Sequence, residues 1–79
     1  MTREELLALG TAYLNAYRAY RALLDAARTL QEAGLDRAVD ALMECMPAAR
    51  EARESALDAL CAATPNLTRE GVHRLALNR

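Results

Sequence analysis

The residues best suited to metal chemistry occur in two short clusters. Glu70 and His73 form an E-x-x-H pair, a spacing that places a carboxylate and an imidazole on one helix face, as in the ligand sets of di-iron bundles. The apolar helical patterns that would supply facing glutamates contain Leu, Ala and Tyr instead, so we favour a solvent-exposed or helix-capping role for His73. Met43, Cys45 and Met46 are soft ligands for Cu(I). Core packing explains them better, because Cys45 falls on an apolar helical pattern and methionine fills irregular space beside a proline.

A set of six carboxylates is the most suggestive feature of the chain. On one ideal helix they fall within an arc of about 80° that contains no arginine. The set is Asp36, Asp40, Glu44, Glu51, Glu54 and Asp58. Like charges four residues apart cost a few tenths of a kcal/mol per pair, so this acidic stripe calls for an explanation. It is a solvated face, a docking site for the basic tail (Arg69, Arg74, Arg79), or a recognition surface for a basic partner protein.

Three tyrosines follow one edge of the first apolar pattern. Tyr13, Tyr17 and Tyr20 recur at helical spacing, and a tyrosine suits a half-wet site because its ring is apolar and its hydroxyl polar. They form either the rim of a packed core or, with Arg21 nearby, a hot-spot band for a partner.

Residues 57–75 have the spacing of a helix-turn-helix unit. Its packing positions are Ala62, Asn66, Leu67, Thr68, Val72 and Leu75. The second helix would present Arg69, Glu70, His73 and Arg74 to DNA. Pro65 in the last turn of the first helix and the slightly acidic net charge of −1 oppose this interpretation.

The elements that carry these residues are predicted to be helices. A capping box at Thr2 and Glu5 starts helix A, over about residues 3–33, and Gly34 ends it. Helix B covers about residues 36–63 and is kinked or broken near Pro47, and helix C covers about residues 69–77. Helices A and B each carry an apolar seam at alternating steps of three and four residues. The seam of helix A is Leu9, Ala12, Ala16, Ala19, Leu23, Ala26, Leu30 and Ala33. The seam of helix B is Leu35, Ala38, Leu42, Cys45, Ala49, Ala52, Ala56, Ala59 and Ala63.

These patterns predict an all-α fold in a single domain, 1–79. Two seams joined by a short turn favour an antiparallel helical hairpin with closely spaced axes. The apolar arc of helix A is wider than one partner helix covers, so we expect a homodimer that forms a helical bundle. A short helix C folded over the hairpin is the monomeric alternative.

Composition bounds the location and the partners. All ten basic residues are arginine and alanine is abundant, which suggests a GC-rich genome, either bacterial or phage. Two cysteines are too few for a disulfide framework, and we read them as reduced thiols of a cytoplasmic protein. Met1 leads directly into a polar segment, so no signal peptide is expected. No apolar run approaches the roughly 18 residues of a membrane span. The acidic balance makes nucleic acid an unlikely ligand.

The sequence therefore favours a non-enzymatic protein–protein interaction module without cofactor or metal. The acidic stripe and the tyrosines, with Arg21, would engage a larger protein with a basic surface. Size and composition suggest a small phage-encoded inhibitor of a host nucleic-acid-binding complex. In size and general character the chain resembles small anti-CRISPR proteins, although no motif carries that resemblance. The alternative is a small helix-turn-helix DNA-binding regulator that uses the C-terminal helix.

Overall fold

The computed structural model describes residues 1–78, and these form four helices. They are α1 (Arg3–Glu32), α2 (Asp36–Met43), α3 (Met46–Ala63) and α4 (Arg69–Leu77). No strand occurs among the described residues, so the predicted all-α class is confirmed. The bounds of α1 and α4 agree with the predicted helices A and C to within a residue.

Local hydrogen bonds fix both ends of α1. The Thr2 hydroxyl accepts a hydrogen bond from the Glu5 amide at 3.1 Å, as the capping box predicts. Past the other end, Gly34 has a φ of +75°, a conformation that glycine adopts without strain. The amides of Gly34 and Leu35 donate back to carbonyls of the last turn, both at 3.0 Å. This Schellman arrangement satisfies orphan carbonyls and turns the chain out of the helix.

Pro47 divides the predicted helix B into two helices. α2 ends at Met43, Glu44 and Cys45 form a turn, and α3 begins at Met46 with Pro47 in its first turn. Proline has no N–H to donate to the carbonyl four residues back, and its ring clashes with that carbonyl. In a first turn the missing donor costs nothing, because that amide would have no partner within the helix. Of the two predicted outcomes, a kink or a break, the structure has the break.

A short corner connects α3 to α4. The Thr64 hydroxyl donates to the Leu60 carbonyl at 2.8 Å near the end of α3, and the Thr68 hydroxyl accepts from the Gly71 amide at 3.0 Å to cap α4. Thr68 is therefore the N-cap of α4. The cap fixes the residue at which α4 begins. Val72, four residues after Thr68, is buried on the inward side of this helix.

The centre of the core lies where α1, α3 and α4 meet. Tyr13, Leu60, Val72 and Ala76 are its buried members, and Tyr13 is the largest fully buried side chain. Farther along the pair of long helices, the guanidinium of Arg53 on α3 lies 4.5 Å from the centre of the Tyr20 ring on α1. α1 therefore contacts α3 along much of its length, and it also contacts α2 and α4.

The face that α1 turns inward coincides only in part with the predicted seam. Leu9, Ala16, Leu23 and Leu30 of that seam are half-buried. Ala12, Ala19 and Ala26 are exposed in the chain, whereas Tyr13 and Ala27 are buried. The apolar arc predicted for this helix is nearly half its circumference, so periodicity alone did not fix the orientation. A tyrosine ring removes far more apolar surface from water than an alanine methyl, and burial of Tyr13 therefore sets the inward face.

The prediction that Cys45 packs in the core is wrong. Cys45 is exposed and Cys61 is half-buried against the core, and both thiols are free. Because Cys45 lies in the turn before α3, the next residue, Met46, is the one placed inward, at 2% exposure. Met43 is exposed, at 45%, so the predicted packing of the methionines beside Pro47 applies to Met46 alone.

Candidate functional site

A tyrosine–histidine pair joins α1 to α4 within the core. The hydroxyl of Tyr13 and Nδ1 of His73 share a hydrogen bond across sixty positions of sequence. The Tyr17 ring meets the imidazole edge to face, with ring centres 5.0 Å apart, and the Tyr13 ring does so at 5.8 Å. His73 is thus a half-buried packing residue, and the predicted exposed or capping role is wrong.

Burial also changes the acidity of the tyrosine. Removal of the Tyr13 hydroxyl from water raises its pKa above the usual 10.0, an effect that the nearby positive charge of Arg53 partly opposes. The phenol therefore keeps its proton over the physiological range. It can donate that proton to Nδ1 whenever His73 is in the tautomer that leaves Nδ1 unprotonated.

The E-x-x-H residues do not act together. The Glu70 carboxylate accepts a 2.6 Å bond from Arg74, while His73 turns to Tyr13. Within residues 1–78, no group of three or more His, Cys, Asp or Glu side chains is placed to hold a metal ion.

A network of ion pairs connects α3 to α4 beside the tyrosine–histidine pair. Arg69 donates to Asp58 at 2.6 Å and to Glu54 at 3.0 Å. Arg53 donates to Glu54 at 2.8 Å while it stacks on the Tyr20 ring. The hydrogen bond to Asp58 raises the pKa of Arg69. A shallow cavity of about 280 Å³ opens over these charges, but both arginines that line it already have carboxylate partners.

The network divides the predicted acidic stripe. Glu54 and Asp58 bind Arg69, which is what docking of the basic tail predicts for them. Arg74 pairs with Glu70 inside α4 instead, and Arg79 lies outside the described residues. The other four carboxylates are exposed, and none forms an ion pair with another described residue. These are Asp36 and Asp40 on α2, Glu44 in the turn, and Glu51 on α3, which we call the acidic face.

The predicted tyrosine band is mostly internal. Tyr13 is 2% exposed and belongs to the core, so it is not accessible to a partner. Tyr17 and Tyr20 are half-buried, and Arg21 is exposed. The rim interpretation fits Tyr17 and Tyr20, whose rings pack on His73 and Arg53.

An apolar groove that the sequence analysis did not identify lies at the end of the molecule where α1 begins. It is about 180 Å³ in volume. Its walls come from α1 (Leu6, Leu7, Gly10), the end of α3 (Leu60, Thr64), the corner (Leu67) and α4 (Val72, Leu75, Ala76). We call this the leucine groove. The signal was present in the sequence as a second apolar flank on α1 at Leu6 and Leu7, but its partners on the corner and on α4 depend on tertiary structure.

The helix-turn-helix interpretation gains little from the geometry. Val72 packs inward as that unit requires, but Arg69 and Arg74, the two basic residues expected to contact DNA, are paired with carboxylates. Binding of phosphate would first have to break these pairs.

No helix among the described residues is long and apolar enough to cross a membrane. Comparison with protein-family models, with curated proteins and with solved structures finds no match for this chain.

Proposed function

We propose that this chain is a non-enzymatic protein–protein interaction module that works as a homodimer. The observation that carries the proposal is the large surface of the single chain. It exposes 5664 Å², whereas a compact monomer of 8.7 kDa is expected to expose about 4700 Å². The excess of about 900 Å² means that the single chain buries less of its surface than a compact domain does, which leaves area that a second copy could cover.

The shape of the chain agrees with this estimate. Its extents are 47 × 21 × 20 Å and its radius of gyration is 15.0 Å, against about 11.6 Å for a compact chain of this length. A chain this elongated buries a smaller share of its own surface than a compact chain of the same length. In the proposed assembly the long helices form antiparallel hairpins, and two hairpins complete a helical bundle.

The acidic face supplies the second contact, to a larger protein with a basic surface. Four exposed carboxylates along α2 and the start of α3 speed encounter with a positive surface and select against acidic ones. Asp36 and Asp40 are like charges four residues apart on α2, and a basic partner would relieve their repulsion. A small cytoplasmic, phage-encoded inhibitor of a host nucleic-acid-binding complex, anti-CRISPR-like in character, is the biological role that fits this chemistry best.

Capture from bacterial lysate with matched variants tests the role of the acidic face. In the test variant Asp40→Asn, Glu44→Gln and Glu51→Gln are combined. The control combines Glu4→Gln, Asp25→Asn and Glu32→Gln, three exposed acids of α1, with the same change in net charge. We expect the test variant to associate more slowly with the captured protein, and the wild-type rate to fall as salt rises.

Two results would contradict the proposal. If both variants capture the partner at the wild-type rate, the acidic face is a solvated surface. If the protein instead shifts DNA in a gel, and Arg69→Gln with Arg74→Gln abolishes the shift, the helix-turn-helix alternative is correct.

A further inference from the structure

We propose that α2 opens from the rest of the fold as a separate unit, and that a basic partner closes it by binding the carboxylates that its helical state brings together. This rests on the proposed role of the acidic face and adds that binding there is coupled to a conformational change. Closure of α2 and binding of the partner then favour each other.

α2 is held less firmly than the other three helices. It has eight residues and buries none of them, and its least exposed side chains, Val39 and Leu42, are half-buried. Isolated helices shorter than about 12 residues are marginal in water, and most of the stability of a helix in a protein comes from packing of its apolar side. α2 therefore has neither the length nor the packing that would make it stable on its own.

α4 shows what α2 lacks, because the two helices are nearly the same length. α4 has nine residues and buries two of them, and the Thr68 hydroxyl caps its N-terminus. Arg69 bonds it to α3 and His73 bonds it to α1. α2 has Leu35 at its N-cap position, without a side-chain hydrogen bond. Among the described residues, no side chain of α2 forms a hydrogen bond or an ion pair.

The fold allows α2 to open while the remainder stays folded. Turns bound it on both sides, at Gly34 with its φ of +75° and at Glu44 and Cys45. The core cluster around Tyr13 contains residues of α1, α3 and α4 and none of α2, and α1 contacts α3 directly. Opening of a segment with few buried contacts requires less free energy than global unfolding.

The charges of this segment favour the open state when no partner is bound. Asp36, Asp40 and Glu44 follow one another at steps of four residues, which makes them neighbours only when the segment is helical. Asp36 in the first turn gains from the helix dipole, but Glu44 at the C-cap position is opposed by it. The one basic residue of the segment, Arg37, forms no ion pair with a described residue. Opening separates the three carboxylates and relieves their repulsion.

A positively charged partner reverses this preference. A ligand shifts an equilibrium only by the difference in its affinity for the two states. The closed helix holds the three carboxylates on one side, with neighbouring Cβ atoms about 5–6 Å apart, and the open segment disperses them. A polycation therefore binds the closed state more tightly. If it binds only that state, it stabilises closure by the factor 1 + [L]/Kd.

Native-state amide exchange tests the opening without a partner. A missing cap is worth about fivefold and a buried valine more than tenfold, and the half-buried side chains of α2 recover part of this difference. We expect amides of α2, corrected for their intrinsic rates, to exchange at least about tenfold faster than those of α4. Glu44→Gln removes a like-charge pair and a negative charge at the C-terminus of α2, and it should slow exchange there about threefold. Glu4→Gln, at an exposed acid of α1, makes the same change in net charge and should leave α2 exchange unchanged.

An octa-arginine peptide serves as the basic partner in the second measurement. Its dissociation constant is obtained by fluorescence anisotropy, and exchange is then measured with the peptide at ten times that constant. Binding to the closed state alone slows the opening of α2 by about tenfold, and we expect no comparable slowing in α4. An octa-glutamate peptide at the same concentration is the control and should leave exchange in both helices unchanged.

The outcomes separate this inference from the proposed function on which it rests. Exchange in α2 as slow as in α4 overturns the separate opening. If octa-arginine binds but leaves α2 exchange unchanged, or makes it faster, the coupling is wrong while recognition of a basic surface stands. If octa-arginine does not bind at concentrations up to about 1 mM, the range of weak affinity, the coupling and the proposed recognition of a basic surface are both wrong.

Discussion

The hydrogen bond between Tyr13 and His73 offers a direct measure of how firmly α4 is held to α1. Tyr13→Phe removes the hydroxyl and keeps the ring, so core packing changes little. The substitution leaves Nδ1 of His73 without its protein partner. Tyr13→Ala would be less informative, because a cavity of ring size costs about 3–5 kcal/mol. That is a large share of the roughly 4–12 kcal/mol expected for a domain of this length.

The unfolding free energy that Tyr13→Phe removes depends on how deeply the Tyr13 hydroxyl and the His73 imidazole are buried. A hydrogen bond contributes about 0.5–1.5 kcal/mol net, and a fully buried group that loses its partner costs about 1–3 kcal/mol. Tyr13 is 2% exposed but His73 is half-buried, so the imidazole can recover part of its bonding from water. We therefore expect Tyr13→Phe to lower the free energy of unfolding by about 1 kcal/mol. For a domain of this size that corresponds to a fall of about 5 °C in Tm.

The free energy of unfolding is measured by thermal and by denaturant unfolding. The protein concentration is held fixed, because the chain is proposed to dimerise. A double-mutant cycle with His73→Phe should return a coupling energy of about 1 kcal/mol. Tyr17→Phe is the control: the Tyr17 ring contacts the same imidazole, but its hydroxyl forms no hydrogen bond within the described residues. If Tyr13→Phe melts with wild type, or if Tyr17→Phe is equally destabilised, the bond does not hold α4 in place.

Three further measurements follow from the same contacts. Burial raises the pKa of Tyr13 above 10.0, so at alkaline pH the folded chain keeps a proton that the unfolded chain releases. The contribution of Tyr13 to the free energy of unfolding should therefore be fully present below pH 10 and should fall as pH rises further. Tyr13→Phe should reduce that fall. In single-cysteine variants, Cys45 should react with a thiol reagent faster than Cys61, and equal or reversed rates would show that the turn before α3 is wrongly placed. Arg69→Gln should speed amide exchange in α4, more at low salt than at high salt, because its pairs with α3 are exposed to solvent. Arg74→Gln, whose pair lies within α4, is the control for that experiment and should leave exchange near the wild-type rate.

Element boundaries could be predicted because the signals that set them are local. The Thr2 and Thr68 caps, the glycine at position 34 and the proline at position 47 act on neighbours within a few residues of sequence. Their effect depends on backbone chemistry alone, and the helix ends follow. The orientation of each helix depends on which side chains compete for burial, and the apolar residues of α1 cover too wide an arc for periodicity to decide.

The contacts that join the helices could not be read from spacing. Tyr13 and His73 are separated by sixty positions, and Arg69 reaches Asp58 and Glu54 across eleven and fifteen. Each of these residues is chemically notable in the sequence. The linear pattern left a core rim or a partner band open for Tyr13, and tail docking or partner recognition open for Glu54 and Asp58. It could not choose between them, because it does not show which residues meet in the fold.

The fate of the acidic stripe shows how one local break changes a functional prediction. The arc of about 80° assumed one ideal helix through all six carboxylates. The break before Pro47 places Asp36 and Asp40 on α2 and the last three acids on α3, so a common arc no longer defines a common face. Arg69 then neutralises Glu54 and Asp58, because the corner after α3 brings α4 back over them. The carboxylates that remain for a partner are those that α4 does not contact. Substitution of Glu54 or Asp58 would instead weaken the docking of α4 and would not report on recognition of a partner. A test of partner binding therefore has to use Asp40, Glu44 and Glu51, where stability and recognition are not coupled through Arg69.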